Sequence, residues 1–161
     1  MIGVESDVSG DWDARTDWPA LARSAVHAAL AHSRHAGLGD SEVSVKFTSD
    51  EEVRGLNAAW RGKDSATNVL SFPMADPGDI AAAQLLGDVV LAYGVCAAEA
   101  ARKAVSIETH AAHLVVHGTL HLLGYDHETS DAEADEMEDA ERRALASIGI
   151  ADPYHVTEVE S

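Results

Sequence analysis

The chain carries a single cysteine, Cys96, in 161 residues. One thiol closes no internal disulfide and builds no thiolate zinc site, so an oxidised scaffold and a cysteine zinc finger are both excluded. Aromatic residues make up 5% of the chain and there are 4 prolines. No run of about 18 or more apolar residues occurs, so no transmembrane helix is expected. Residues Met1 to Asp7 carry neither a basic start nor an apolar stretch, so no secretory leader is expected and the cytoplasm is the expected location. Basic residues are also scarce. Eleven Lys and Arg against 28 Asp and Glu leave a net charge of −17, and such a surface repels nucleic acid at long range. Binding RNA would require a local basic groove, for which Arg54, Arg61 and Lys63 form the visible cluster in the middle of the chain.

What is present is apolar residue, at 46%, in a length that suits one domain over residues 1–161, with a polar tail from about residue 151. Acidic residues crowd one stretch without an intervening base: Glu128, Asp131, Glu133, Asp135, Glu136, Glu138, Asp139 and Glu141. This run reads as a solvated helix face.

The elements follow from local pattern. Ile2 to Glu5 reads as a short strand. Asp17 and Pro19 open a helix to about Ala36. Val43, Val45 and Phe47 alternate with polar residues, as in a half-buried strand. Ser49 and Glu52 form a capping box for a helix through about Trp60. Thr67 to Phe72 and Asp88 to Ala92 read as strands. Val95 to Leu123 is helical with a break near Ser106, and Leu114 to Leu123 is apolar almost all round, which marks a buried helix. Ser130 and Glu133 form a second capping box for a helix ending near Ser147. The order implies a small mixed α/β fold, with parallel pairing for the early strands and an antiparallel neighbour for the Thr67–Phe72 strand.

The chemistry concentrates in His117-Gly-Thr-Leu-His121-Leu-Leu-Gly124-Tyr-Asp-His127. Residues i and i+4 share a helix face, so His117 and His121 can reach one metal ion. Gly124 can turn the chain back through the left-handed region, and His127 can then join as a third ligand. Three protein ligands leave a position open, as in catalytic zinc sites, although imidazoles also suit nickel, copper and iron. The spacing is that of metzincin proteases, but the glutamate that serves those enzymes as general base is here Gly118. His113 lies one turn before His117 and is a candidate base at most. It and His110 read as partly exposed residues without a role. Asp126 and Glu128 could orient an imidazole or be simply solvated.

The histidine segment resembles the signature of the bacterial YbeY family. Two further blocks agree in order and spacing: Leu56-Asn57, Trp60-Arg61 and Thr67-Asn68-Val69-Leu70-Ser71-Phe72-Pro73, then Leu86-Gly87-Asp88-Val89-Val90. The resemblance spans roughly residues 40 to 148. It implies a four-stranded mixed sheet with packed helices and one zinc ion on His117, His121 and His127. It also implies a single-strand-specific, zinc-dependent endoribonuclease of rRNA maturation, acting in 16S rRNA 3′ end processing and ribosome quality control. rRNA and the small ribosomal subunit are the implied partners, with ribosome-associated proteins as further candidates and no membrane. Arg61 falls at the family's functional arginine, where a planar guanidinium can hold a phosphate bidentately, and with His117 it forms the expected catalytic pair. The family usually has aspartate where this chain has Asn68. If that residue caps a loop, the asparagine carbonyl can replace it. Two other functions stay open: a ribosome-assembly binding factor with a mainly structural zinc, and a metallohydrolase of peptides, against which Gly118 argues.

Overall fold

The computed structural model describes residues 2–37, 40–76, 78, 80, 84–125 and 130–151. Strands β1 (Ile2–Val8), β2 (Ser41–Thr48), β3 (Val69–Pro73) and β4 (Gly87–Ala92) form one sheet in the order β1-β2-β4-β3. The helices among the described residues are α1 (Trp18–Ala31), α2 (Asp50–Arg61), α3 (Tyr93–Lys103), α4 (Ile107–Leu122) and α5 (Asp131–Ser147). β1 runs parallel to β2 with Val4 opposite Val43, and β2 runs parallel to β4 with Val45 opposite Val89. β3 is antiparallel to β4, with Leu70 opposite Val90. This is the mixed sheet that the pattern implies.

The capping residues act as their positions in the sequence suggest. Ser49 Oγ accepts from Glu52 N at 3.2 Å and Ser130 Oγ from Glu133 N at 3.1 Å. The break near Ser106 is real. α3 ends at Ala104, which has a positive φ of 57°, and Ser106 caps α4 through Thr109 N at 3.1 Å. Most boundaries fall within about two residues of expectation, and two differ by more. β1 extends to Val8, because Ile2, Val4, Ser6 and Val8 alternate with exposed Gly3, Glu5 and Asp7 along the whole β2 pairing. α1 ends at Ala31 rather than Ala36, because other acceptors take its next backbone donors. Ser33 N turns to Leu30 O at 3.2 Å, Arg34 N to the Tyr125 hydroxyl at 2.9 Å, and His35 N to Ser33 Oγ at 3.0 Å.

The core lies between the sheet and α1 and α4. Val43, Val45 and Phe47 of β2 point into it, and Trp12 meets Trp18, Phe47 and Tyr93 edge-on with ring centroids at 4.8, 5.1 and 5.4 Å. The Trp12 indole is buried without cost to its N–H, which donates to Thr48 O at 3.0 Å. α4 is the central helix and touches α1, α3, α5, β3 and β4. It comes close to the sheet at Gly118. A Cβ there would stand 2.8 Å from Val89 Cγ1 and 3.0 Å from Ser71 Oγ, and Ser71 Oγ donates to Gly118 O at 3.0 Å. The residue after His117 therefore faces strands. A longer side chain at that position would drive into the sheet.

Candidate metal and phosphate site

His110, His113, His117 and His121 recur at intervals of three and four, so α4 presents them on one face. That face lines a cleft of about 720 Å³ that also takes in Ser71 and Pro73 of β3 and Arg61 at the end of α2. The Nε2 atoms of His117 and His121 stand 3.0 Å apart, with ring centroids at 4.6 Å and planes at 80°.

The hydrogen bonds on the other side of each ring fix which nitrogen can accept a cation. His117 Nδ1 meets Glu141 Oε1 at 2.5 Å, and His121 Nδ1 meets the Tyr125 carbonyl at 3.0 Å. An ionised carboxylate and a carbonyl only accept, so both Nδ1 atoms carry the hydrogen. In neutral rings both Nε2 atoms then carry lone pairs, and lone pairs this close repel unless a cation lies between them. Tetrahedral zinc with Zn–N bonds of about 2.0–2.1 Å places neighbouring nitrogens about 3.3 Å apart. The observed spacing is close to that, so the pair fits a shared metal ion. His127, the expected third ligand, lies outside the described residues, as do Asp126 and Glu128. Among the described residues no set of three ligating side chains gathers. Cys96 is buried, which pushes its thiol up to about 12, and it is not among the residues lining the cleft.

The turn after α4 supplies the Tyr125 carbonyl. Gly124 takes φ of +94°, Gly124 N donates to His121 O at 3.0 Å and Tyr125 N to Leu120 O at 3.1 Å. This is the paired-bond helix ending that glycine makes cheap. It brings Tyr125 O back over His121. Tyr125 is itself held by Arg34, whose guanidinium lies 4.0 Å from the ring centroid.

Three readings of the sequence need correction. Glu141 belongs to the acidic run but is 1% exposed, and its carboxylate serves His117 and also His113, whose Nε2 is 3.2 Å from Glu141 Oε2. Burial opposes its ionisation, yet hydrogen bonds from the two imidazoles hold the carboxyl at about 2. His110 is 3% exposed rather than partly exposed, and its Nε2 meets Glu99 Oε1 at 2.8 Å. Burial pushes its pKa down against the Glu99 hydrogen bond, so the neutral ring is favoured. Arg54 does not contribute a groove cation, since it makes a two-pronged pair with Asp64 at 2.7 and 3.1 Å. Of the expected basic cluster, Arg61 is the member that lines the cleft. Lys103, the last residue of α3, lines it too and was not apparent from the sequence.

Asn68 closes the far end. Its Oδ1 accepts from Val69 N at 2.7 Å, the local capping bond, and its Nδ2 donates to Glu99 Oε1 at 3.0 Å. An aspartate could make the first bond but not the second.

Fold and cleft together describe a small α/β protein with helix-borne imidazoles and an arginine lining one groove, side chains that suit a metal-dependent phosphodiester hydrolase. A family model described as endoribonuclease YbeY matches residues 9–149. The endoribonuclease YbeY of Rhizorhabdus wittichii is 50% identical over 98% of this chain and 99% of its own length. That of Novosphingobium aromaticivorans is 51% identical over 95% and 96%. A solution structure from Thermotoga maritima aligns with a TM-score of 0.57 over 100% of this chain and 96% of that one, and at 22% identity it shows the shared fold. The chain belongs to the YbeY endoribonuclease family.

Proposed function

We propose that the protein is a single-strand-specific, metal-dependent endoribonuclease that works in the cytoplasm as one domain. It matures rRNA at the 16S 3′ end and takes part in ribosome quality control, with rRNA and the small subunit as partners. Family membership supports the reaction class. The observation that carries the site is that Arg61 lines the same cleft as His117 and His121, whose Nε2 atoms converge. Among the described residues no helix is long and apolar enough to cross a membrane.

His117 and His121, joined by His127, would hold a zinc ion. When bound, it supplies Lewis-acid charge for a phosphoryl oxygen or an attacking water. Arg61 makes no ion pair with a described residue, and its guanidinium holds a non-bridging phosphate oxygen pair and offsets charge that builds during cleavage. Glu141 and the Tyr125 carbonyl keep the two imidazoles in the Nδ1–H form. His113 commits its Nε2 to Glu141, and Gly118 offers no side chain to the cleft.

The test is cleavage of single-stranded rRNA segments by wild type, Arg61→Ala and His121→Ala, with zinc measured in each. Arg61→Ala should lose about 100-fold or more in rate, the scale for removing one charge-stabilising donor, while keeping its zinc. His121→Ala should lose both. Equal cleavage by wild type and Arg61→Ala would assign the activity to a contaminant and favour a binding role.

A further inference from the structure

We propose that Glu141 is the positioning residue of the metal centre. From α5 it orients the His117 ring so that Nε2 faces the cation, and it makes metal affinity depend on how α5 packs against α4. The proposal rests on the metal-site reading above and adds a residue outside the ligand set.

The first support is where Glu141 sits. The buried residues of α5 are Met137, Ala140, Glu141, Ala144 and Leu145, which form one stripe against the core. Every other member is apolar. Packing alone would fill the position with leucine or methionine, and a buried carboxylate needs good partners to be tolerated there. The second support is how the two oxygens are used. Oε1 takes the Nδ1 hydrogen of His117 and Oε2 takes the Nε2 hydrogen of His113, one turn earlier on α4. Each oxygen has its own imidazole, so the carboxylate cannot swing without breaking a bond. The third is direction. The bond falls on the side of His117 opposite the Nε2 that approaches His121 Nε2 at 3.0 Å. A carboxylate behind an imidazole fixes its tautomer and makes the far nitrogen a better donor to a metal.

Two variants separate positioning from packing. Glu141→Leu fills the apolar stripe without orienting His117, and Glu141→Gln keeps the shape but removes the charge. Both should bind zinc about 10- to 100-fold more weakly by chelator competition, while the metal-free Glu141→Leu protein stays folded. Zinc affinity within about twofold of wild type in both would overturn the proposal. Should neither variant fold, nitrogen NMR of the metal-free wild type decides: an Nδ1–H tautomer at His117 is expected, and an Nε2–H tautomer would overturn it. A wild type that binds no zinc would sink the metal-site reading itself, a different failure from unchanged affinity in the variants.

Discussion

Two glycines inside helices should respond to alanine with opposite signs. Gly55 is exposed in α2, and a Cβ there would meet nothing within 4 Å. Alanine removes the entropy that glycine loses on entering a helix, so Gly55→Ala should stabilise by about 0.5–1 kcal/mol. Gly118 in α4 would gain the same amount but pay for crowding. Its Cβ would lie 2.8 and 3.3 Å from the Val89 methyls and 3.0 Å from Ser71 Oγ. Val89 is fully buried on β4, and Ser71 Oγ is tied to Gly118 O, so neither neighbour can yield freely. Overpacking of this kind costs about 1–3 kcal/mol, which offsets or exceeds the helix gain and leaves Gly118→Ala destabilised by up to about 2.5 kcal/mol. In a chain of this size each kcal/mol moves the midpoint by about 2–4 °C. Thermal unfolding of the metal-free proteins should therefore raise Tm for Gly55→Ala and lower it for Gly118→Ala. Metal is left out so that ligand linkage does not mask the difference. A Gly118→Ala protein stabilised as much as Gly55→Ala would refute the close approach of α4 to β3 and β4.

RNA affinity should be only weakly salt-dependent, because Arg61 and Lys103 are the lysine and arginine side chains lining the cleft among the described residues. Two phosphate contacts on a single strand give a slope near −1.4, or about a sevenfold loss between 50 and 200 mM salt. Fluorescence anisotropy with chelator present should show Lys103→Ala halving that slope, and an unchanged slope would remove Lys103 from the interface. Stability should also fall in acid through Glu141. Its carboxyl is held at about 2 against an ordinary 4.5, so its contribution is full above 4.5 and is lost as pH falls from there toward 2. The loss amounts to about 3 kcal/mol. Urea unfolding at pH 6 and pH 3 should show a smaller drop for Glu141→Gln than for wild type, and parallel drops would contradict the assignment.

Much of this was legible because the signals are local. Ser49, Ser106 and Ser130 mark helix starts by their own side-chain bonds, and His117 and His121 share a face whatever the tertiary fold. Gly124 announced the turn that the structure shows. Glu141 was hidden by its neighbours: eight acids in one run look like a solvated face. The distinguishing signal was its register, four residues after Met137 and beside Ala140, Ala144 and Leu145. Lys103 and Arg54 could not be sorted from sequence. Only the packing of α3 on α4 brings Lys103 to the cleft, and only the left-handed turn at Gly62 folds Asp64 back to Arg54. The burial of His110 leaves no local signal because its partner, Glu99, lies on another helix.

Among the described residues β1 and β3 are the edge strands of the sheet, and each is blunted against lateral growth. β3 stands at one edge of the sheet and lines the cleft through Val69, Ser71 and Pro73, alternate residues that share one face of the strand. An uncovered rim also invites a second copy to add its own strand. β3 is only five residues long and ends in Pro73, which has no N–H to offer such a neighbour. At the opposite rim, β1 turns Glu5 and Asp7 outward, so two copies meeting there would bring like charges together. The architecture thus discourages the sheet from propagating into aggregates at either edge strand.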